Sequence, residues 1–469
     1  MGDVANSGRP GGDVLDALAR DLPASSLITD PDVLESYRRD QAALVEAGMP
    51  LAVVRPGSRE EVQKVLRIAS DNRVPVVPRG AGSGLSGGAN AVDGCLMLSL
   101  TSMDRIVDID RSSLLAVVEP GVVNSDLAEA AAELGLWYPP DPSSAGFSTI
   151  GGNIATNAGG LCCVKYGVTR DFVLGVEVVL ADGSLLTTGR QTVKGVAGYD
   201  LTGLFVGSEG TLGIITQATL RLRPAPPKAA TMVAFFADMK SAGAAIAQIV
   251  SGVVPATLEL MDRTTVRSVE EWKHMDLDLD AAALLIGRSD AGGEQGATEI
   301  ERMADACTSA GATFVAQSSD PMEAELLMTA RRLALPALER RGTTLLDDVA
   351  VPYGRIPDLL GGIERIAAHH EVLIGTFGHA GDGNMHPTIV FDEGDPDAVG
   401  RARSAFQDIL RTTLELGGTI TGEHGVGLLK QPSLVAEIGE EGLRVHATIK
   451  QALDPAGILN PGKVLKRRF

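Results

Sequence analysis

Val76-Val77-Pro78-Arg79-Gly80-Ala81-Gly82-Ser83-Gly84-Leu85-Ser86-Gly87-Gly88 is an apolar run that enters a glycine-rich loop, and Leu96 to Leu100 supplies a second strand-like run soon after. Glycine lets backbone N–H groups approach an anion closely, and successive N–H groups in such a loop form an anion-binding nest. A doubly wound dinucleotide fold would need an amphipathic helix opening at the glycines and a ribose-binding acid about 20 residues on. The sequence shows neither. Two further glycine-rich segments follow, Thr149-Ile150-Gly151-Gly152-Asn153-Ile154-Ala155-Thr156-Asn157-Ala158-Gly159-Gly160 and Gly207-Ser208-Glu209-Gly210-Thr211-Leu212-Gly213-Ile214-Ile215. Three such segments in the first half point to one large, flat, phosphate-bearing cofactor lined by backbone.

The second half carries a different chemistry. Gly378 to His386 reads GHAGDGNMH, and Gly422 to Gly427 reads GEHGVG. His379 and His386 flank Gly381-Asp382-Gly383, a turn-forming triplet that can fold the chain back and bring both imidazoles to one side. With Glu423 they make two imidazoles and a carboxylate, a set that can hold a divalent metal and leave positions open for substrate. His424 is then a spare imidazole suited to proton transfer. Taken singly, each of these is as well read as a loop histidine with ordinary hydrogen bonds. Taken together they are three of the seven histidines in the chain.

Bulk properties narrow the field. With 469 residues, two or three domains and a large core are expected. A hydrophobic content of 44% and a charged content of 22% are ordinary for a soluble globular protein. The formal net charge of −19 disfavours nucleic acid and anionic membrane surfaces as partners. No run of ~18 apolar residues predicts a transmembrane helix. The N-terminal stretch, with Asp3, Asp13, Asp16 and Asp21, has neither the basic flank nor the apolar centre of a targeting segment, so a cytoplasmic location is expected. The four cysteines, at 95, 162, 163 and 307, lack CxxC spacing, which argues against an iron–sulfur cluster held in this chain. Cys162 and Cys163 read first as small buried thiols and only second as redox-sensitive ones.

The alternation of elements predicts an α+β protein. Residues 1 to 40 read as a polar, glycine-rich start and a short helix around Val14 to Leu18. Residues 41 to 226 alternate short strands with a few helices. Apolar spacing predicts a helix over Glu60 to Ala69, and Asp182-Gly183 predicts a hairpin between Phe172–Leu180 and Leu185–Thr188. Arg223-Pro224-Ala225-Pro226-Pro227 marks a boundary. Residues 227 to 420 then read as strands and helices in a βαββαβ-like order, predicting an antiparallel sheet with helices on one face. Residues 421 to 469 form a last segment.

At this point the chain resembles a known family. PRGAGSGLSGG, PPDP at Pro139 to Pro142, TIGGNIATNAGG, KYG at Lys165 to Gly167 and GSEGTLGI are similar to the FAD-binding domain of the vanillyl-alcohol-oxidase superfamily. GHAGDGNMH, GEHGVG and DPAGILNPGKVL at Asp454 to Leu465 narrow the resemblance to the branch of D-lactate dehydrogenases, glycolate oxidase flavin subunits and D-2-hydroxyglutarate dehydrogenases. It runs in order from about Asp40 to the C-terminus. It implies a two-part FAD-binding domain, a cap domain over the flavin, and a C-terminal segment that returns to the FAD domain.

The resemblance also assigns residues. Pro78, Arg79, Gly80, Ala81, Gly82, Ser83 and Gly84 would meet FAD at its pyrophosphate. Thr149, Gly151, Gly152, Asn153, Thr156, Asn157 and Ala158 would line other parts of it, as would Glu209, Gly210, Gly213, Ile214 and Ile215. Pro140, Asp141 and Asn460 complete the implied contacts. Ser83 follows Gly82 where a histidine could attach to flavin, so noncovalent FAD is expected. His379, His386 and Glu423 would hold Zn or Mn, His424 would be the base, and Arg331 and Asn384 would bind substrate with it. Arg331 reads equally as a solvated helix residue beside Arg332.

The expected reaction is oxidation of a short D-2-hydroxy acid, D-lactate foremost, to the 2-oxo acid. An external quinone, cytochrome or electron-transfer flavoprotein would take the electrons, with peripheral membrane association through that acceptor and a homodimer both left open. The hydroxyglutarate enzymes carry a threonine and a lysine for the distal carboxylate, where this chain has Leu335 and Leu346. That favours a monocarboxylate. An oxygen-using oxidase, a flavin subunit of a glycolate oxidase complex and a flavin-free zinc hydrolase are the competing readings.

Overall fold

The computed structural model describes residues 12–318 and 320–466, without the side chains at 321, 323 and 324. The polar start expected before residue 12 lies outside the described residues, and the short helix is Gly12–Asp21.

A four-stranded sheet runs in the order Leu27–Ile28, Ala52–Val54, Leu96–Ser99, Val76–Arg79, and the last three strands are parallel. The helix Arg59–Asp71 connects two of them, capped by the Ser58 hydroxyl on the Glu61 N–H. Its buried Val62, Val65, Leu66 and Ala69 pack on Val54, Leu96 and Leu98 on one side and on Val179 and Ile214 of a second sheet on the other. That second sheet has five antiparallel strands and includes the expected hairpin, Val173–Val179 with Leu185–Gly189, closed at Asp182-Gly183. The first glycine loop therefore leaves the end of a parallel strand rather than opening a helix.

From Ala230 onward an eight-stranded sheet dominates. It includes two strands that sequence reading passed over, Thr257–Asp262 and Asn384–Phe391, the second pairing in register with Leu373–His379. The run Leu345 to Val351 is two short strands, Thr343–Leu346 and Val349–Ala350, rather than one. Helices cover both faces of this sheet, not the single face expected. Met239–Gly252, Gly293–Ser309, Ile356–His370 and Pro396–Glu415 share one cluster with Leu258, Leu260, Leu285 and Ile389. Arg263–Lys273, Pro321–Arg332 and Ala334–Glu339 share another with Met261, Leu284, Ile286 and Phe377. Every residue of Asn384–Phe391 is buried as a result. Full burial of side chains such as Phe236 and Phe406 contributes roughly 2–3 kcal/mol each.

The C-terminal segment comes back to the first sheet. The Val76 N–H donates to Ile458 O (2.8 Å) and the Asn460 N–H to Val76 O (2.8 Å). Among the described residues no helix is long and apolar enough to cross a membrane.

Candidate active site

The hairpin of Leu373–His379 and Asn384–Phe391 turns through Ala380 to Gly383, where Gly383 takes φ +84°. A side chain there would strike Val351 O, so both conformation and space call for glycine. The pairing sets His379 opposite Asn384 and Phe377 opposite His386, which leaves the two imidazole rings 5.2 Å apart and nearly perpendicular. Both are buried. Glu423 reaches between them: its Oε1 lies 3.2 Å from His379 Nε2 and 3.2 Å from His386 Nε2. His424 stacks on His386 with ring centroids 5.1 Å apart and planes 10° off parallel. Its Nε2 is 3.9 Å from Glu423 Oε1.

Two buried carboxylates that sequence reading missed support this group. Glu259, on the unforeseen strand Thr257–Asp262, accepts from His379 Nδ1 at 2.8 Å and pairs with Arg331 Nε at 2.7 Å. Asp348, between the short strands Thr343–Leu346 and Val349–Ala350, accepts from the N–H groups of Glu423 (2.9 Å) and His424 (2.8 Å) and from the Thr421 hydroxyl (2.9 Å). Donor atoms of Asp348, His386, Glu423 and His424 all fall within 4.8 Å of one another. His379 meets that group through Glu423. A signal existed for both: fully buried acids within apolar runs, TLELM and TLLDDVAV, are rare without a partner.

Charge follows the geometry. Burial works to raise the Glu423 carboxyl, yet His379 and His386 hold it well below its ordinary range. Burial works to lower His379, but Glu259 and Glu423 lift it well above the usual imidazole value. His424 goes the other way, lowered chiefly by burial against the pull of Asp348. Arg331 is 4% exposed and its guanidinium lies over the Phe377 ring at 4.8 Å, whereas Arg332 is exposed and pairs with Glu325.

A cavity of about 440 Å³ joins this group to the glycine loops. Its walls take in Pro78 to Gly84, then Thr149, Gly151, Gly152, Asn153, Thr156 and Ala158, then Glu209, Gly210, Gly213, Ile214 and Ile215. Arg331, Leu335, Leu346, Phe377, His386, Glu423 and His424 close the other end. These walls fit FAD. Arg79 Nη1 and Asn153 Nδ2, both on residues that line the cavity, are buried polar atoms with no hydrogen-bond partner among the described residues. Gly82 holds φ +75°, and any Cβ there would collide with the Arg79 guanidinium.

Some expected residues stand behind the wall. Pro140 is buried and its carbonyl accepts from Asn124 (3.2 Å). Asp141 accepts from the Cys162 N–H (3.1 Å). Asn157 caps the helix Ile150–Thr156 in the left-handed conformation and accepts from the Arg170 N–H. Asn460 donates to Gly88 O (2.9 Å) and Glu209 O (2.8 Å), tying two cofactor loops together. Asn384 is buried at the strand start, with Oδ1 unpartnered beside Gly422.

Comparison with known proteins shows the family. Residues 50–189 match the FAD binding domain family and residues 225–464 the C-terminal domain family of FAD linked oxidases. Glycolate oxidase subunit GlcD of Bacillus subtilis (strain 168) is 44% identical over 421 residues, 89% of this chain and 90% of that one. D-lactate dehydrogenase of Anaerostipes hadrus is 34% identical over 457 residues, 95% of this chain and 96% of that one. Among solved structures, 4-ethylphenol oxidase of Gulosibacter chungangensis superposes with a TM-score of 0.82 at 21% identity, covering 100% of this chain and 99% of that one. With the cavity, its glycine walls and both domain families in place, the chain belongs to the FAD-linked oxidases and is an oxidoreductase that binds FAD.

Proposed function

We propose that this protein oxidises a short 2-hydroxy monocarboxylic acid, D-lactate foremost, to the 2-oxo acid. FAD is bound noncovalently, and Zn or Mn is held by His379, His386 and Glu423. The observation that carries the reading is the single cavity in which the FAD walls meet His386, Glu423, His424 and Arg331. Separations of 3.2 Å from Glu423 Oε1 to both imidazoles are what ligands at about 2.0–2.2 Å from one metal ion subtend. The donor set therefore fits a divalent cation. Glu259 on His379 Nδ1 leaves Nε2 aimed at that point, the usual arrangement for a ligating imidazole.

When bound, FAD supplies the hydride acceptor, and the cation supplies Lewis acidity for the hydroxyl and its neighbouring carboxylate. Arg331, held at Nε by Glu259 and stacked on Phe377, offers its planar guanidinium to the substrate carboxylate. His424, kept neutral by burial, takes the hydroxyl proton. Leu335 and Leu346 receive the substrate's short tail and give a second carboxylate nothing to bind. Noncovalent FAD rests on Ser83 in the pyrophosphate loop. The D-hand rests on similarity to relatives named D-lactate dehydrogenase. Similarity to relatives named glycolate oxidase subunit supports glycolate as the second reading. An external electron acceptor rests on the family resemblance alone.

Anaerobic mixing of the FAD-loaded protein with D-lactate or glycolate tests this. The flavin absorbance should bleach with one equivalent of 2-oxo acid formed. No bleaching by any 2-hydroxy acid in a D and L panel would remove the proposal.

A further inference from the structure

Asp347 and Asp348 sit in the gap between two short strands that both pair with Asn384–Phe391, Leu346 against Thr388 and Val349 against Met385. That register brings Asp348 alongside His386. Its side chain is wholly buried, and its two oxygens face different ways. Oδ2 accepts from the N–H groups of Glu423 and His424 and from the Thr421 hydroxyl. Three donors saturate it. Among the described residues Oδ1 has no hydrogen-bond partner, and it lies 3.7 Å from His386 Nδ1, itself a buried atom without a partner there. Buried polar atoms left alone are costly, and these two are each other's nearest remedy. A shift of about 0.8 Å would bring them to hydrogen-bond distance. Lys430 steadies the other end, with Nζ 2.7 Å from Asp348 O and 3.0 Å from Asp347 Oδ1.

We infer that Asp348 is a positioning residue: Oδ1 holds His386 in the Nδ1–H tautomer, so that its bare Nε2 faces the cation, while Oδ2 fixes the loop carrying Glu423 and His424. Clustering alone would also allow Asp348 to be a fourth ligand. The bonding excludes that, because Oδ2 is fully engaged by the loop and Oδ1 faces the Nδ1 side of His386, away from the Nε2 that meets Glu423. The arrangement repeats on His386 what Glu259 does for His379. Ligand orientation in this site is thus set by two acids far apart in sequence. The inference rests on the proposed metal site and adds to it the tautomer of one ligand.

The test uses FAD-loaded full-length protein with its histidines labelled with ¹⁵N, and Zn²⁺ as the probe. In the wild type with Zn²⁺ bound, His386 should show a protonated Nδ1 and a ligated Nε2. In Asp348→Asn the loop N–H groups keep the carboxamide oxygen and turn its NH₂ toward Nδ1. His386 should then shift to the Nε2–H tautomer and Zn²⁺ affinity fall by ~10–100-fold with FAD content unchanged. Equal Zn²⁺ affinity in the two proteins would overturn the inference and leave the metal site standing. Wild-type protein that binds no Zn²⁺ would remove the metal site itself, and the inference with it. Should Asp348→Asn not fold, the wild-type spectrum decides alone, since ligation through Nδ1 would overturn the assignment.

Discussion

Arg331 and Arg332 are neighbours in sequence with opposite fates, one buried against Glu259 and Phe377, the other exposed. Sequence alone left Arg331 between a ligand for carboxylates and a solvated helix residue. Burial against an acid and an aromatic ring on the cavity wall argues for the first. Arg331→Ala should lower kcat/KM for D-lactate and glycolate alike by roughly 30–150-fold, the weight of a charge-assisted pair of about 2–3 kcal/mol. Steady-state rates with the two acids check this; a loss confined to one of them would contradict it. His424→Ala should retain FAD and metal while flavin reduction slows by ~10²–10⁴, and loss of metal instead would make His424 a ligand. Leu335 and Leu346 at the cavity wall predict that D-2-hydroxyglutarate reduces the flavin with a poorer specificity constant than D-lactate. The histidines and Glu423 were legible because they cluster in two glycine-bounded motifs. Glu259 and Asp348 were not, since no local pattern connects an acid in an apolar run to groups 38 or more positions away.

Among elements, the helix over Glu60 to Ala69 and the Asp182-Gly183 hairpin were legible, because period and turn chemistry agree there, whereas the 20-residue helices Pro396–Glu415 and Leu434–Leu453 were not read. The strand Thr257–Asp262 was hidden by a buried acid in mid-strand, and the helix after it went unnoticed with it. Contacts between loops were equally illegible. Glu209 sits on the cavity wall and accepts from the N–H groups of Val426 (2.7 Å) and Gly427 (2.9 Å), joining a cofactor loop to the loop that carries His424. Burial pushes its carboxyl up from 4.5 to about 7, against those two N–H groups. A carboxyl raised on folding stabilises below its unfolded value, and that contribution is lost as pH rises through the folded one. From pH 4.5 to above 7 the loss amounts to about 3 kcal/mol. Glu209→Gln cannot ionise, so its melting temperature should fall less than the wild type's over that span. Parallel curves for the two proteins would show that Glu209 is ionised on both sides of the transition.

Across the whole molecule, the cavity is assembled from parts that fold on separate sheets. The glycine segments before residue 216 line the cavity, while Arg331 comes from the helix Pro321–Arg332, His379 and His386 from strands of the eight-stranded sheet, and Glu423 and His424 from a later loop. Glu209 accepting from the N–H groups of Val426 and Gly427, and the Ser86 hydroxyl donating to Gly425 O (2.9 Å), join the glycine segments to the loop that carries Glu423 and His424. Glycine spacing made the first part readable and histidine spacing the second. Their meeting in one cavity was implied only by the family resemblance, because no spacing reports contacts hundreds of residues apart. Such a construction predicts that metal can leave while FAD stays. The direct measurement is anaerobic flavin reduction by D-lactate before and after dialysis against a chelator. The account predicts retained FAD, flavin reduction slowed by at least ~10²-fold, and recovery on adding Zn²⁺ or Mn²⁺. Full-speed bleaching by metal-free protein would contradict it.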